Sequence, residues 1–154
     1  MRMTALPNAQ ILDLAYSYYE AAEVLDSSDA NAIPIVNLRC HAIELFLKSL
    51  YLTDTVTDIG DGVFLLRPSS GRNDGHGLVK SFCKSLQPHR SELLSDMPDL
   101  PDKLEHLERV FQKSRYQYEN GDSLPLSKAA CVSRFLAKKL ATLPRLAVSI
   151  DRTK

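Results

Sequence analysis

The side chains able to move a proton, hold a phosphate or ligate a metal fall in two places in this sequence. The first is His41 with Glu44, three residues apart, a spacing that puts both on one face of a helix and supplies half of a helical metal site. No second such pair follows. The other histidines, His76, His89 and His106, do not pair at HxxxH spacing. The three cysteines, Cys40, Cys83 and Cys131, are far apart, lie in or beside apolar helical stripes, and form no CxxC. Neither a zinc site nor a disulfide framework is expected, and no cofactor is implied. Glu44 also stands four residues before Lys48, which reads as a surface i,i+4 salt bridge.

The second place is Arg115-Tyr116-Gln117-Tyr118-Glu119-Asn120. Arg115 lies on the stripe Leu104, Leu107, Phe111, Arg115, Tyr118, where a guanidinium is costly unless it is paired or functional. A planar cation beside Tyr116 and Tyr118 suits phosphate contact or stacking. The structural alternative is an Arg115 that snorkels to water or pairs with Glu44. P-loop, GxGxxG and GxSxG patterns are absent, and Gly71-Arg72-Asn73-Asp74-Gly75 does not match a phosphate loop.

Helical periodicity dominates the segments that must position these residues. Ile11, Leu14, Ala15, Tyr18, Ala22 and Leu25 recur at three- and four-residue steps and predict a first helix over 8–26. Val36, Cys40, Ile43, Leu47 and Leu50 predict a second over 31–52, with Pro34 in its first turn. A short connection makes the two antiparallel neighbours. A third is expected over 76–87 from Leu78, Val79, Phe82, Cys83 and Leu86, ended by Pro88, with a short extra turn over 91–98. The fourth opens at Pro101 and runs to Asn120-Gly121, and the fifth begins near Leu124-Pro125, carries Val132, Phe135, Leu136, Leu140 and Leu143, and stops at Pro144. Thr53 to Gly75 breaks the pattern. It holds four of the six glycines, and Thr55-Val56-Thr57 and Val63 to Arg67 fit a small hairpin across 58–62.

These elements predict one domain over 1–154, an all-α, up-and-down bundle of about five helices, with a loop or β-hairpin insertion at 53–75 (hairpin near 55–67) and an apolar tail at 144–154. Lys and Arg balance Asp and Glu at 19 each, so overall charge selects no partner. The distribution is uneven: from Ser127 onward seven Lys/Arg stand against Asp151 alone, a net +6 against −6 elsewhere. This fits an anionic partner, self-association, or a solvated helix face. With no signal-peptide core and no apolar run of membrane-spanning length, the expected location is cytoplasmic.

Three blocks in order, Leu38-Arg39-Cys40-His41-Ala42-Ile43-Glu44-Leu45-Phe46-Leu47-Lys48-Ser49-Leu50, Gly75-His76-Gly77-Leu78-Val79 and Ser114-Arg115-Tyr116-Gln117-Tyr118-Glu119, resemble the HEPN (higher eukaryotes and prokaryotes nucleotide-binding) superfamily over residues 8–143. The resemblance implies a helical bundle that forms homodimers and a role on nucleotides or RNA. Many members are metal-independent endoribonucleases of toxin–antitoxin or phage-defence type, marked by an Arg followed four to six residues later by a His. That pair would activate the ribose 2′-hydroxyl and stabilise charge on the phosphate. Arg115 matches the Arg, but position 120 is Asn, followed by Gly121 and Asp122. Asn donates a hydrogen bond but exchanges no proton near neutral pH. Arg115 and Asn120 are therefore the catalytic candidates, and in a divergent site Asn120 or a distant histidine such as His76 would have to replace the lost acid–base group. The leading expectation is a non-catalytic dimeric module whose cleft of Arg115, Tyr116, Tyr118, His41 and Glu44 binds a nucleotide, RNA or a protein partner. The alternative is a metal-independent endoribonuclease with a divergent site. His76 matches a family histidine with an expected structural role.

Overall fold

A computed structural model describes residues 3–28, 31–67, 77–113 and 124–144. Its order is β1 (Met3–Leu6), α1 (Ala9–Ser27), α2 (Ala32–Ser49), β2 (Asp54–Gly60), β3 (Val63–Arg67), α3 (Leu78–Lys84), α4 (Gln87–Asp96), α5 (Leu100–Lys113) and α6 (Leu126–Ala141). The fold is a mostly helical bundle, but not strictly all-α: three strands form an antiparallel sheet in the order β1-β2-β3. No described helix is long and apolar enough to cross a membrane.

The two long helices begin at asparagine caps. Asn8 Oδ1 accepts from the Ile11 N–H at 2.9 Å and Asn31 Oδ1 from the Ile33 N–H at 3.0 Å, each satisfying an orphan donor of the first turn. The apolar stripe read on α2 is the centre of the core, with Val36, Cys40, Ile43, Leu47 and Leu50 all buried. Around it pack Leu12, Ala15 and Ala22 of α1, Leu78 and Phe82 of α3, Leu93 of α4, Leu100, Leu104 and Leu107 of α5, and Val132, Leu136 and Leu140 of α6. On α1 Ala15 and Ala22 of the expected stripe are buried, but the inward leucine is Leu12, whereas Leu14 is exposed.

The expected third helix is α3, shorter than predicted, and the extra turn expected over 91–98 is a helix of its own, α4, that begins earlier. α3 stops at Lys84, and Pro88 opens α4 from within its first turn, where a missing N–H is harmless. The described residues therefore hold six helices in place of the expected five. The junction is tied down: the Leu86 N–H donates to the Leu50 carbonyl at 3.2 Å. The expected fourth helix is described to Lys113 as α5, and its continuation to Asn120 lies outside the described residues, as do the loop from Pro68 and the tail beyond Pro144.

The hairpin stands where the sequence put it, as β2 and β3, with Val56 opposite Leu66 and Thr57 opposite Leu65. Its turn is tighter than expected, because the ladder runs on to Gly60, opposite Val63, with a register shift after Asp58, and the chain reverses through Gly60, Asp61 and Gly62, all with positive φ, a conformation glycine adopts without strain. The N-terminal strand β1 was not anticipated. It pairs Met3 with Thr57 and Leu6 with Asp54. A four-residue strand is too short to show a period, and its pairing is decided by a segment some fifty residues away. A side-chain clasp locks this join: Asn8 Nδ2 donates to Asp54 Oδ1 at 2.8 Å, and the Ala9 N–H donates to Asp54 Oδ2 at 3.3 Å.

The basic C-terminal segment has a structural use. Along α6, Arg134 donates to Glu23 of α1 at 2.9 Å and Lys139 to Asp96 of α4 at 2.7 Å, while Lys128 contacts His106 of α5. These cations dock α6 onto its neighbours, several of which carry the matching acids.

Candidate functional site

α2 places Asn37, His41, Glu44 and Lys48 at steps of four, three and four residues, so one helix face carries a continuous polar stripe. Asn37 and His41 are half-buried, and Glu44 and Lys48 are buried. The His41 ring lies between two aromatic walls. Tyr18 of α1 sits 5.5 Å away, centroid to centroid, tilted by 32°, and Phe111 of α5 meets it edge-on at 4.8 Å and 89°. Such arrangements are favoured by the ring quadrupole.

Beneath His41, Lys48 Nζ contacts Glu44 Oε1 at 2.7 Å, with side chains only 4% and 3% exposed. The sequence reading of this pair as a surface bridge is therefore corrected: the i,i+4 geometry was right and the environment was not. Neighbouring helices cover this part of α2, something local spacing does not report. Removing one member of a pair so buried typically costs about 3–5 kcal/mol, because the other charge stays behind. Asn37 Oδ1 is buried and accepts no hydrogen bond, a rare state for a native polar atom.

Of the expected site residues, His41 and Glu44 are thus brought onto one stripe. Arg115, Tyr116, Tyr118, Asn120 and also His76 lie outside the described residues. Asn37 and Lys48 complete the stripe, and the signal for them was present as a polar period on an otherwise apolar helix. Among the described residues, no group of three or more His, Cys, Asp or Glu side chains is placed to hold a metal ion. Of the cysteines, Cys40 is buried, and Cys83 and Cys131 are exposed, so Cys83, read within the apolar stripe of the third helix, stands outside its buried face.

A second charged cluster lies on another face of α2. Arg39 is fully buried and bridges three helices. Its Nη1 donates to Glu23 Oε1 at 2.7 Å and to Ser133 Oγ at 3.0 Å, and its Nη2 donates to Asp26 Oδ2 at 2.8 Å. Arg134 shares both acids. Glu23 is held below the usual glutamate range, first by its hydrogen bond from Arg134, then by Arg39, against the opposing effect of burial. Beside this cluster an open depression of about 390 Å³ is lined by Asp26, Leu126, Ser127, Ala130, Cys131 and Arg134. None of the stripe residues lines it. Arg39, like Arg115, is a guanidinium on an apolar stripe, three residues after Val36 and four before Ile43.

Comparison with protein-family models, with curated proteins and with solved structures gives no match to this chain in any of the three.

Proposed function

We propose that the chain is a HEPN-like, dimeric binding module that takes a nucleotide or a segment of RNA along the α2 stripe and does not cleave it. The observation that carries this reading is His41, half-exposed between Tyr18 and Phe111 on a helix face that also presents Asn37. Bases stack on such rings with little regard to sequence. An acceptor without a donor at Asn37 suits a base amino group or a ribose hydroxyl once the side chain rotates. The buried Glu44–Lys48 pair holds the stripe from below. Arg115, which lies outside the described residues, enters this reading from its sequence alone, as a cation beside Tyr116 and Tyr118.

The test is a titration of the purified protein with adenosine and guanosine monophosphates and a short single-stranded RNA, in EDTA, followed by amide chemical shifts. Shifts at Asn37, His41 and Phe111 are expected, with the RNA intact. His41→Ala and Arg115→Ala should each weaken binding by about tenfold, within the range of one base–aromatic stack. RNA cut by the wild type but not by Arg115→Ala would replace this reading with the endoribonuclease. No response to any nucleotide or RNA would leave a protein partner as the occupant.

A further inference from the structure

Every residue of β3 is exposed, and four of the five are large hydrophobes: Val63, Phe64, Leu65 and Leu66. Ile59 of β2 stands exposed beside them, and Phe64 is 61% exposed. Side chains alternate across a strand, so Val63 and Leu65 bare one face of the sheet while Phe64 and Leu66 bare the other. β3 is also an edge: among the described residues it has β2 on one side and no strand on the other. Folded proteins usually blunt such edges with Lys, Pro or an inward charge. Residues 63–66 contain none of these. An exposed apolar edge of this kind is a template for another strand.

We propose that β3 is a homodimerisation strand: two copies pair edge to edge, antiparallel about a two-fold axis, and join two three-stranded sheets into one of six. The strand is complementary to itself. A two-fold centred on Leu65 sets Leu65 against the same residue of the second copy, Phe64 against Leu66, and Val63 against Arg67. Every apolar side chain from 63 to 66 then gains a cross-strand neighbour, and Phe64 with Leu66 is a favourable aromatic–aliphatic pair. The single cation of the strand, Arg67, falls diagonal to Asp61, which is exposed in the turn of the other copy. The two Arg67 side chains stay apart at opposite ends. An unrelated charged peptide would lose this match, whereas a second copy supplies it twice.

This inference gives the dimer of the proposed function a contact, yet it stands on the strand alone. A failure of nucleotide binding leaves it intact, whereas a monomeric chain overturns it together with the dimer of the proposed function and leaves the binding measured by the ligand titration as it is. The experiment is light scattering and sedimentation of the full chain over its accessible concentration range. The mass should rise from 17.2 kDa toward twice that value. Leu65→Glu should remain monomeric with an unchanged helical circular dichroism spectrum. Leu65→Cys should give a disulfide-linked dimer under mild oxidation, since directly opposed antiparallel residues lie about 4.5–5.5 Å apart at Cα, within disulfide range. The wild type, with Cys83 and Cys131 exposed, should not cross-link. A chain monomeric at every concentration, a dimer that survives Leu65→Glu, or a Leu65→Cys variant that does not cross-link would each overturn the proposal. So would a full-length monomer that dimerises only when residues 145–154 are deleted, since the tail would then be the natural cover of β3.

Discussion

Arg39 sets the energetics of the helical core at the residue scale. A fully buried guanidinium is tolerated only when its donors are matched, and here Glu23, Asp26 and Ser133 supply acceptors from α1 and α6, while Nε alone has none. Glu23 answers to both Arg39 and Arg134, and its carboxyl is held below the ordinary value of 4.5. The sign follows from linkage. A carboxylate with a depressed folded value adds stability above pH 4.5, and that stability is lost as pH falls through the lower folded value. The melting temperature should therefore decline as acid protonates Glu23. Glu23→Gln should lose about 1 kcal/mol at neutral pH, a charged hydrogen bond discounted for partial exposure, and should flatten that acid limb. Melting curves from pH 7 down to pH 3 for both proteins check this, and parallel acid limbs would refute it. None of this network was legible as pairing in the sequence. Glu23 and Asp26 precede Arg39 by sixteen and thirteen residues and Ser133 follows it by ninety-four, and only the tertiary fold brings them together.

Between elements, the decisive join is the clasp of Asn8 and Asp54. It fastens the β1–α1 corner to the start of β2, and the Asn8 N–H adds a bond to the Ser49 carbonyl at 3.1 Å. Asp54→Ala removes the acceptor of both Asn8 Nδ2 and the Ala9 N–H and should destabilise the fold by about 1–2 kcal/mol, as for a lost helix cap. Asn8→Ala should cost about 1 kcal/mol. Because the two share one network, the double variant should lose less than the sum, which urea midpoints will report; strict additivity would mean that the clasp is not a unit. At this scale the sequence was most readable. α1, α2, α5, α6 and the β2–β3 hairpin follow from period and turn residues, since their patterns are local and long enough to count. β1 was missed because its partner is remote, and α4 was read only as a short turn over 91–98 because Pro88 serves a helix start as readily as a helix end. For the site, α2 alone was legible: the period gave His41 and Glu44 one face, but only packing shows that Glu44 and Lys48 are covered.

For the molecule as a whole, Cys40 is a reporter placed by the fold at the middle of the core. Burial, with the nearby Glu44 charge, pushes its thiol up to about 12, and thiolate is the reactive form. A native sample treated with iodoacetamide should be labelled at Cys83 and Cys131, both exposed, and at Cys40 only through global opening. Mass spectrometry with increasing urea should show the third label appearing with the main unfolding transition. Labelling of Cys40 well before that transition would mean that α2 opens on its own.

The clasp has a consequence for the order in which the chain is made. Its two side chains and the helical hairpin between them are all encoded within the first 54 residues, and Glu23, Asp26 and Arg39 lie in the same stretch. Emerging from the ribosome, this portion already holds the acid partners of its buried cation and both halves of its fastening. α6, which is synthesised after α1 and α4, then arrives at a surface whose acids, Glu23 on α1 and Asp96 on α4, await Arg134 and Lys139. Translation would thus deliver the positive segment after the negative one, so that docking of α6 is drawn by attraction to a scaffold laid down before it.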